Sequence, residues 1–379
     1  MFRPRHRHQT RQSDPIPGAI EPAGGAKTLP GRFVFARVEA NPSVCYLRSV
    51  VVRPFFVAFL ALTLVFSTEI GVIATSAAPV PPAQSTVQTF VDEATGWTCV
   101  ANGPCTDGPT PPPPDYDGAS DPAFVPAGTD TRAVCDGNGT SGSRFQVMYM
   151  YYTSDRYSGF LSSFQYWAKM ADLNYQTSAR RTGGQRYMRY VHDANCTISV
   201  LKVQVPNNLY NGSNGVFAVG QWLQNNGYNR SDRKYLVFLD DTDPGSCGIA
   251  LKWDDDSSSL SNYNNRAPAS ASYASVALTF SDCWDTSTTF THEATHTIGA
   301  VQATAPHFNS TAHCSDDYDV MCYDGYFAIV CPGASNNVLL DCNNDDYFHT
   351  NPPTGNYLKT HWNTANSDFL GRTLSTISL

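Results

Sequence analysis

Thr291-His292-Glu293-Ala294-Thr295-His296 constrains this chain more than any other six residues in it. Histidines four apart share a face only if the backbone between them is helical, because residues i and i+4 stack one turn apart. On such a helix His292 and His296 can give two nitrogen ligands to one zinc ion. Glu293 then lies on the adjoining face, aimed at a water held by the metal. Zinc brings the pKa of such a water to about 7, where a carboxylate can take its proton. Thr291 or Thr289 is suited to cap the helix. From residue 79 onward the chain has only seven histidines and two glutamates, Glu93 and Glu293. Chance placement would give the pattern in about one of 1,000 such chains. The plainer alternative is an ordinary helix with hydrogen-bonded histidines.

The N-terminal part reads differently. Residues 1–53 are rich in Arg and Pro, and the apolar run 55–66 follows Arg53-Pro54. Small residues come next, at Ala74-Thr75-Ser76-Ala77-Ala78. Basic flank, short apolar core and small residues describe a secretory signal peptide. The run falls short of the roughly 20 residues that span a bilayer. Residues 1–78 are therefore expected to be an N-terminal extension and signal peptide. What remains has 16 basic against 29 acidic residues, which argues against a nucleic-acid partner. It also keeps ten of the 11 cysteines, an even number that suits disulfides in an exported chain. Cys99–Cys105, Cys314–Cys322 and Cys331–Cys342 are expected to close short loops. Cys135, Cys196, Cys247 and Cys283 would pair among themselves.

Residues 79–130 contain Pro111-Pro112-Pro113-Pro114 and read as a linker or pro-segment. The ordered domain is expected over 131–379. Within it, 145–152, 186–190, 197–205, 234–239, 248–253 and 272–280 read as strands. Residues 158–175, 216–225 and a segment beginning near Phe290 read as helices. Past residue 305 the pattern dissolves into polar, cysteine-closed loops. The fold class is α/β, of α+β type, with a mostly parallel sheet and an irregular end.

The stretch from His292 to Gln302, with Gly299 three residues after His296, resembles the metzincin zinc-peptidase signature HExxHxxGxxH. Asp319-Val320-Met321-Cys322-Tyr323 resembles the metzincin Met-turn, which sets a methionine beneath the zinc ligands. The resemblance covers roughly residues 145–365. It implies a twisted mixed sheet, an active-site helix, Glu293 as general base and Tyr323 facing the catalytic site. It also implies an edge strand that binds extended substrate by backbone pairing, for which 248–253 is the candidate. The departure is at position 302, where the family has His or Asp and this chain has Gln, a poor zinc ligand. His307, in Ala305-Pro306-His307, is the expected third ligand, as in a variant of secreted bacterial metzincin-like proteins. Gln302, His313 and an aspartate are the alternatives.

Other features read more plainly. Asp240, Asp241 and Asp243, Asp254 to Asp256, and Asp316 with Asp317 could hold calcium, although none has EF-hand spacing and solvated acidic loops are the simpler reading. Asn138, Asn195, Asn211, Asn229 and Asn309 match the glycosylation acceptor pattern. His192, His349 and His361 stand outside any motif. The expectation is a secreted, monomeric zinc endopeptidase acting on protein or peptide substrates, with no stable membrane association after signal cleavage. The alternative is a secreted zinc-binding protein with little catalysis.

Overall fold

Alternating apolar side chains along the strands build two cores, one on each face of a single sheet. The computed structural model describes residues 87–111, 125, 128–212, 214–268, 270–309, 311–315, 319–322 and 338–372. The signal-type segment, the Asp316-Asp317 pair, Tyr323 and Cys331 lie outside these residues. The chain begins with a small antiparallel sheet, β1 (Thr89–Val91), β2 (Thr98–Val100) and β3 (Cys105–Thr106). There follow β4 (Arg144–Tyr151), α1 (Tyr157–Arg181), β5 (Tyr187–Met188), β6 (Val200–Gln204) and α2 (Gly215–Asn225). After these come β7 (Arg233–Leu239), β8 (Gly248–Ala250), β9 (Val276–Phe280), α3 (Ser287–Thr297) and β10 (Leu370–Gly371).

The main sheet has five strands in the order β6-β4-β7-β9-β8. The first four run parallel, and β8 is antiparallel to β9 at the edge. Phe145, Val147, Tyr149, Leu236, Phe238 and Ala277 face one core with α1 and α3. Met148, Met150, Val237, Leu239, Val276 and Leu278 face the other with α2. That period of two is the pleat of the strands. Helices on both faces are what a mostly parallel sheet requires.

α1 runs six residues past the expected end at Tyr175. Ser178 and Ala179 continue the buried stripe of Ala171 and Tyr175 at helical spacing, so packing carries the helix through a polar stretch. β8 is shorter than its expected span of 248–253. Among the described residues beyond 297, only short 3-10 turns and β10 interrupt irregular backbone, as the polar composition implied.

Four disulfides join described residues: Cys99–Cys105, Cys135–Cys196, Cys247–Cys283 and Cys314–Cys322. They include two of the expected local loops, and the four remaining cysteines pair among themselves. Residues 87–111 are not an extended linker. Their three strands, closed by Cys99–Cys105, pack Trp97 and Cys105 against Ala312. No helix among the described residues is long and apolar enough to cross a membrane.

Candidate metal centre

α3 is held from two sides before it presents anything. Phe290 stacks on Phe238 of β7, with ring centroids 4.7 Å apart. From α1, Asn174 donates to Thr291 Oγ1 at 3.0 Å, and Tyr175 OH lies 2.7 Å from Thr295 Oγ1. The helix therefore carries threonines where most buried helices carry leucine, and their hydroxyls are satisfied by α1. His292, Glu293 and His296 are all buried.

The chain must turn sharply after α3. Gly299 takes φ +99°, and a Cβ there would stand 2.7 Å from both Asn264 and the Trp362 indole nitrogen. Only glycine fits both the left-handed backbone and that close approach. The backbone returns at 309–313. The Asn309 side chain accepts from the amides of Thr311 and His313, at 3.0 Å each, and the Asn309 amide donates to the His313 carbonyl at 2.9 Å. This turn sets His313 against the helix histidines. Its Nε2 is 3.1 Å from His292 Nε2, which is in turn 2.9 Å from His296 Nε2.

The hydrogen bonds at the far side of each ring fix the tautomers. His292 Nδ1 donates to the Val320 carbonyl at 2.6 Å, and His296 Nδ1 to the Ala300 carbonyl at 2.7 Å. Thr311 Oγ1 gives its proton to Asn309 Oδ1, so it accepts from His313 Nδ1, 3.1 Å away. A neutral imidazole that donates from Nδ1 has a bare lone pair at Nε2. Burial first, then the charge of His313 on His292 and of His292, His313 and Lys252 on His296, holds both well below the usual histidine pKa, so both are neutral. The Nε2 atoms of the three rings thus converge in a buried site. The spacing also suits an ion. Ligands about 2.0–2.1 Å from a tetrahedral metal stand about 3.3 Å apart. The three histidines are a group that could hold a metal ion.

His307 is not brought to this site. It is about a third exposed, and its Nδ1 faces Asp346 Oδ2 at 3.1 Å. The Asp346 carboxylate also accepts the His307 amide at 2.9 Å, which anchors the residue to the C-terminal loop. The third ring is therefore His313, an alternative in the sequence reading. Gln302 is buried with its amide nitrogen donating to the carbonyls of Gly299 and Trp253, at 2.8 and 3.2 Å. At this position the side chain closes the helix turn.

The turn at 319–322 reaches the site through the Val320 carbonyl, which accepts from His292 Nδ1. The Asp319 carboxylate accepts from the amides of Met321 and Cys322 at 2.7 and 3.1 Å, and from Tyr347 OH at 2.9 Å. Met321 is fully buried, and Cys314–Cys322 ties the turn to the residue after His313.

Glu293 stands in a space made by β8. A Cβ on Gly248 would lie 2.6 Å from Glu293 Cγ and 2.7 Å from the Leu278 carbonyl. Neither carboxylate oxygen of Glu293 closes a hydrogen bond among the described residues. Burial pushes its pKa well up, opposed by the nearby Thr110 hydroxyl. A buried acid beside three imidazoles can take up and return a proton.

Sequence reasoning missed Asp107. Its side chain is 4% exposed, and Oδ2 lies 3.4 Å from His313 Nε2 and 3.5 Å from His296 Nε2. Three of the described acidic residues offered for calcium are bonded within the protein. Asp240 is gripped by Arg156 and Tyr149, Asp243 accepts from Tyr210, and Asp255 accepts the amides of Ser257 and Tyr263. His192 accepts the Asp136 amide, and His361 stacks on Tyr357. Comparison with protein-family models and with curated proteins finds no match to the chain.

Proposed function

We propose that this chain is a secreted zinc-dependent endopeptidase of metzincin type, with His292, His296 and His313 as metal ligands and Glu293 as general base. The observation that carries the reading is the convergence of three histidine Nε2 atoms next to a buried acid. Three imidazoles are a borderline nitrogen set that suits zinc, and three protein ligands leave a position open for chemistry. Zinc, when bound, would acidify a water and polarise the scissile carbonyl. Glu293 takes the proton of the attacking water, whose oxygen bonds to the acyl carbon. It then returns that proton to the departing amine as the C–N bond breaks. Val320 and Ala300 keep two of the rings oriented through their carbonyls. Such outer partners fix ligand tautomers in metal sites.

The edge position of β8 supports peptide as the substrate. An extended chain can add to an open sheet edge through backbone hydrogen bonds alone. Several disulfides support an oxidising, extracellular setting. The test is Glu293→Gln. The variant is expected to hold one zinc per chain yet fail to cleave a casein substrate that the parent cleaves. Proteolysis retained in the variant overturns the mechanism.

A further inference from the structure

His307, which stands away from the three rings, faces two carboxylates at once. Its Nδ1 is 3.1 Å from Asp346 Oδ2 and 3.8 Å from Asp345 Oδ1. A hydrogen-bonded histidine needs one such neighbour, and the side chains of consecutive residues usually diverge. Asp341 brings these two to one side. Its carboxylate accepts the amides of Asp345, Asp346, Tyr347 and Phe348, at 3.0, 3.2, 2.7 and 2.5 Å, so the chain wraps around it.

Each carboxylate is also held from its far side. Asp346 Oδ1 accepts the His307 amide at 2.9 Å, and Asp345 Oδ2 accepts from the Asn343 side chain at 3.2 Å. The other oxygen of each is the one that faces the ring. One imidazole nitrogen and two carboxylate oxygens thus meet from segments 39 residues apart, all within 4.8 Å of one another. The two ring-to-carboxylate distances bracket the edge of about 3.3 Å between ligands of a tetrahedral zinc ion. Mixed imidazole and carboxylate donors suit zinc and its first-row neighbours. The Asp346 side chain is 1% exposed, whereas those of His307 and Asp345 are 35% and 28% exposed. An ion therefore has an entry path from solvent and can keep water in its remaining positions.

We propose that His307, Asp345 and Asp346 form a second divalent-cation site, separate from the three-histidine centre and weaker, whose ion clamps the base of the loop that carries His313.

His307 begins that loop. Its carbonyl accepts the Ser315 amide at 2.9 Å and the Ser315 hydroxyl at 3.1 Å. Phe308 pairs with Cys314, and the Asn309 amide donates to the His313 carbonyl. An ion that ties His307 to residues 345 and 346 fixes the loop at its base, and His313 farther along is held with it. Two of the three ligands are partly exposed, so dialysis empties this site while the buried three-histidine centre stays loaded. No catalysis at the first centre is required.

The test uses the full chain, dialysed to one zinc and then equilibrated with free zinc from about 1 µM to about 1 mM. The parent is expected to take up a second equivalent and to melt a few degrees higher when it does. His307→Ala and Asp345→Asn should keep the first equivalent and bind the second at least about 10-fold more weakly, the lower end of what even an outer partner of a metal ligand is worth. Their melting temperatures should not rise with zinc over the range that saturates the parent. Absence of a second equivalent in the parent up to about 1 mM overturns the site. So does a second equivalent that both variants hold as tightly as the parent, since that ion lies elsewhere. A second equivalent bound by the parent with no rise in melting temperature overturns the clamp. Should His307→Ala not fold, Asp345→Asn carries the comparison, because its amide oxygen still accepts from Asn343. Casein cleavage at one equivalent is read separately, so either proposal can fail without the other.

Discussion

His292 Nδ1 donates to the Val320 carbonyl at 2.6 Å, which couples the first residue of the metal motif to the turn that buries Met321. The turn in its own right is held by Asp319, whose carboxylate takes the amides of Met321, Cys322 and Cys342. Replacing Asp319 with Asn puts amide protons where acceptors are needed. Asp319→Asn is expected to lower metal affinity by about 10–100-fold, the usual effect of disturbing a ligand's outer partner. It should also cost about 1–3 kcal/mol of stability from the amides left buried and unpaired. Metal titration by calorimetry, together with urea denaturation, measures both. Unchanged affinity would dissociate the turn from the ligand.

Gly248 gives a separate handle on Glu293. Because an added Cβ would meet both Glu293 and the Leu278 carbonyl, Gly248→Ala must shift the acid or the strand. The three rings belong to other segments and should stay in place. The expected outcome is full metal loading with turnover reduced by about 100-fold, the scale on which a misplacement of about 1 Å acts. Loss of metal together with activity would mean that the strand, not the acid alone, had moved.

The division between His313 and His307 can be tested by truncating each. His313→Ala removes one of three converging nitrogens and is expected to abolish stoichiometric zinc binding. His307→Ala removes a half-buried contact with Asp346 and should leave zinc stoichiometry intact, at a cost of about 1 kcal/mol or less. Metal analysis after exhaustive dialysis, with thermal denaturation alongside, separates the two. The reverse pattern would restore His307 as a ligand.

The difficulty with the third histidine shows what a sequence conveys and what it withholds. His292, Glu293 and His296 were legible because one helical turn fixes their relation, whatever the rest of the fold does. The strands around Val147 and Val237 were legible through their buried runs, and the end of α3 through Gly299. His313 stands 17 residues beyond His296 and reaches the site through the Asn309 turn and the Cys314–Cys322 bridge. No periodicity encodes such a path. A hint was present, since His313 adjoins a cysteine whose partner flanks Met321. Asp107 was less legible still. It lies in a segment whose composition suggests a linker, and its placement depends on a one-residue bulge against β8. The short Cys99–Cys105 loop was its only local signal. β8 pairs with β9 only over Gly248–Ala250, while Lys252, expected within the strand, pairs with Cys105 on the outer side.

Far from the metal centre, Lys234 on β7 makes the stability of the protein depend on pH. Its ammonium group is fully buried beneath Phe369, with Nζ 3.0 Å from Ser275 Oγ, and burial drags its pKa down to about 7 from 10.5. Below pH 7 the lysine is charged in both folded and unfolded chains, so the folded state bears the full desolvation cost. Between pH 7 and 10.5 the folded chain has released the proton while the unfolded chain keeps it, so this contribution to stability rises with pH. Asp172, raised to about 7 from 3.8 by its own burial, acts in the opposite sense between those two values. A difference between parent and Lys234→Met cancels that second group. Methionine keeps the packing against Phe369 and carries no charge. Lys234→Met is expected to be more stable than the parent at pH 6, with an upper bound set by about 1.4 kcal/mol for each unit of depression. The advantage should shrink steadily as the pH approaches 10. Urea midpoints for both proteins at pH 6, 8 and 10 test this. A gap that stays constant or widens with pH would mean that Lys234 is not held neutral by its surroundings.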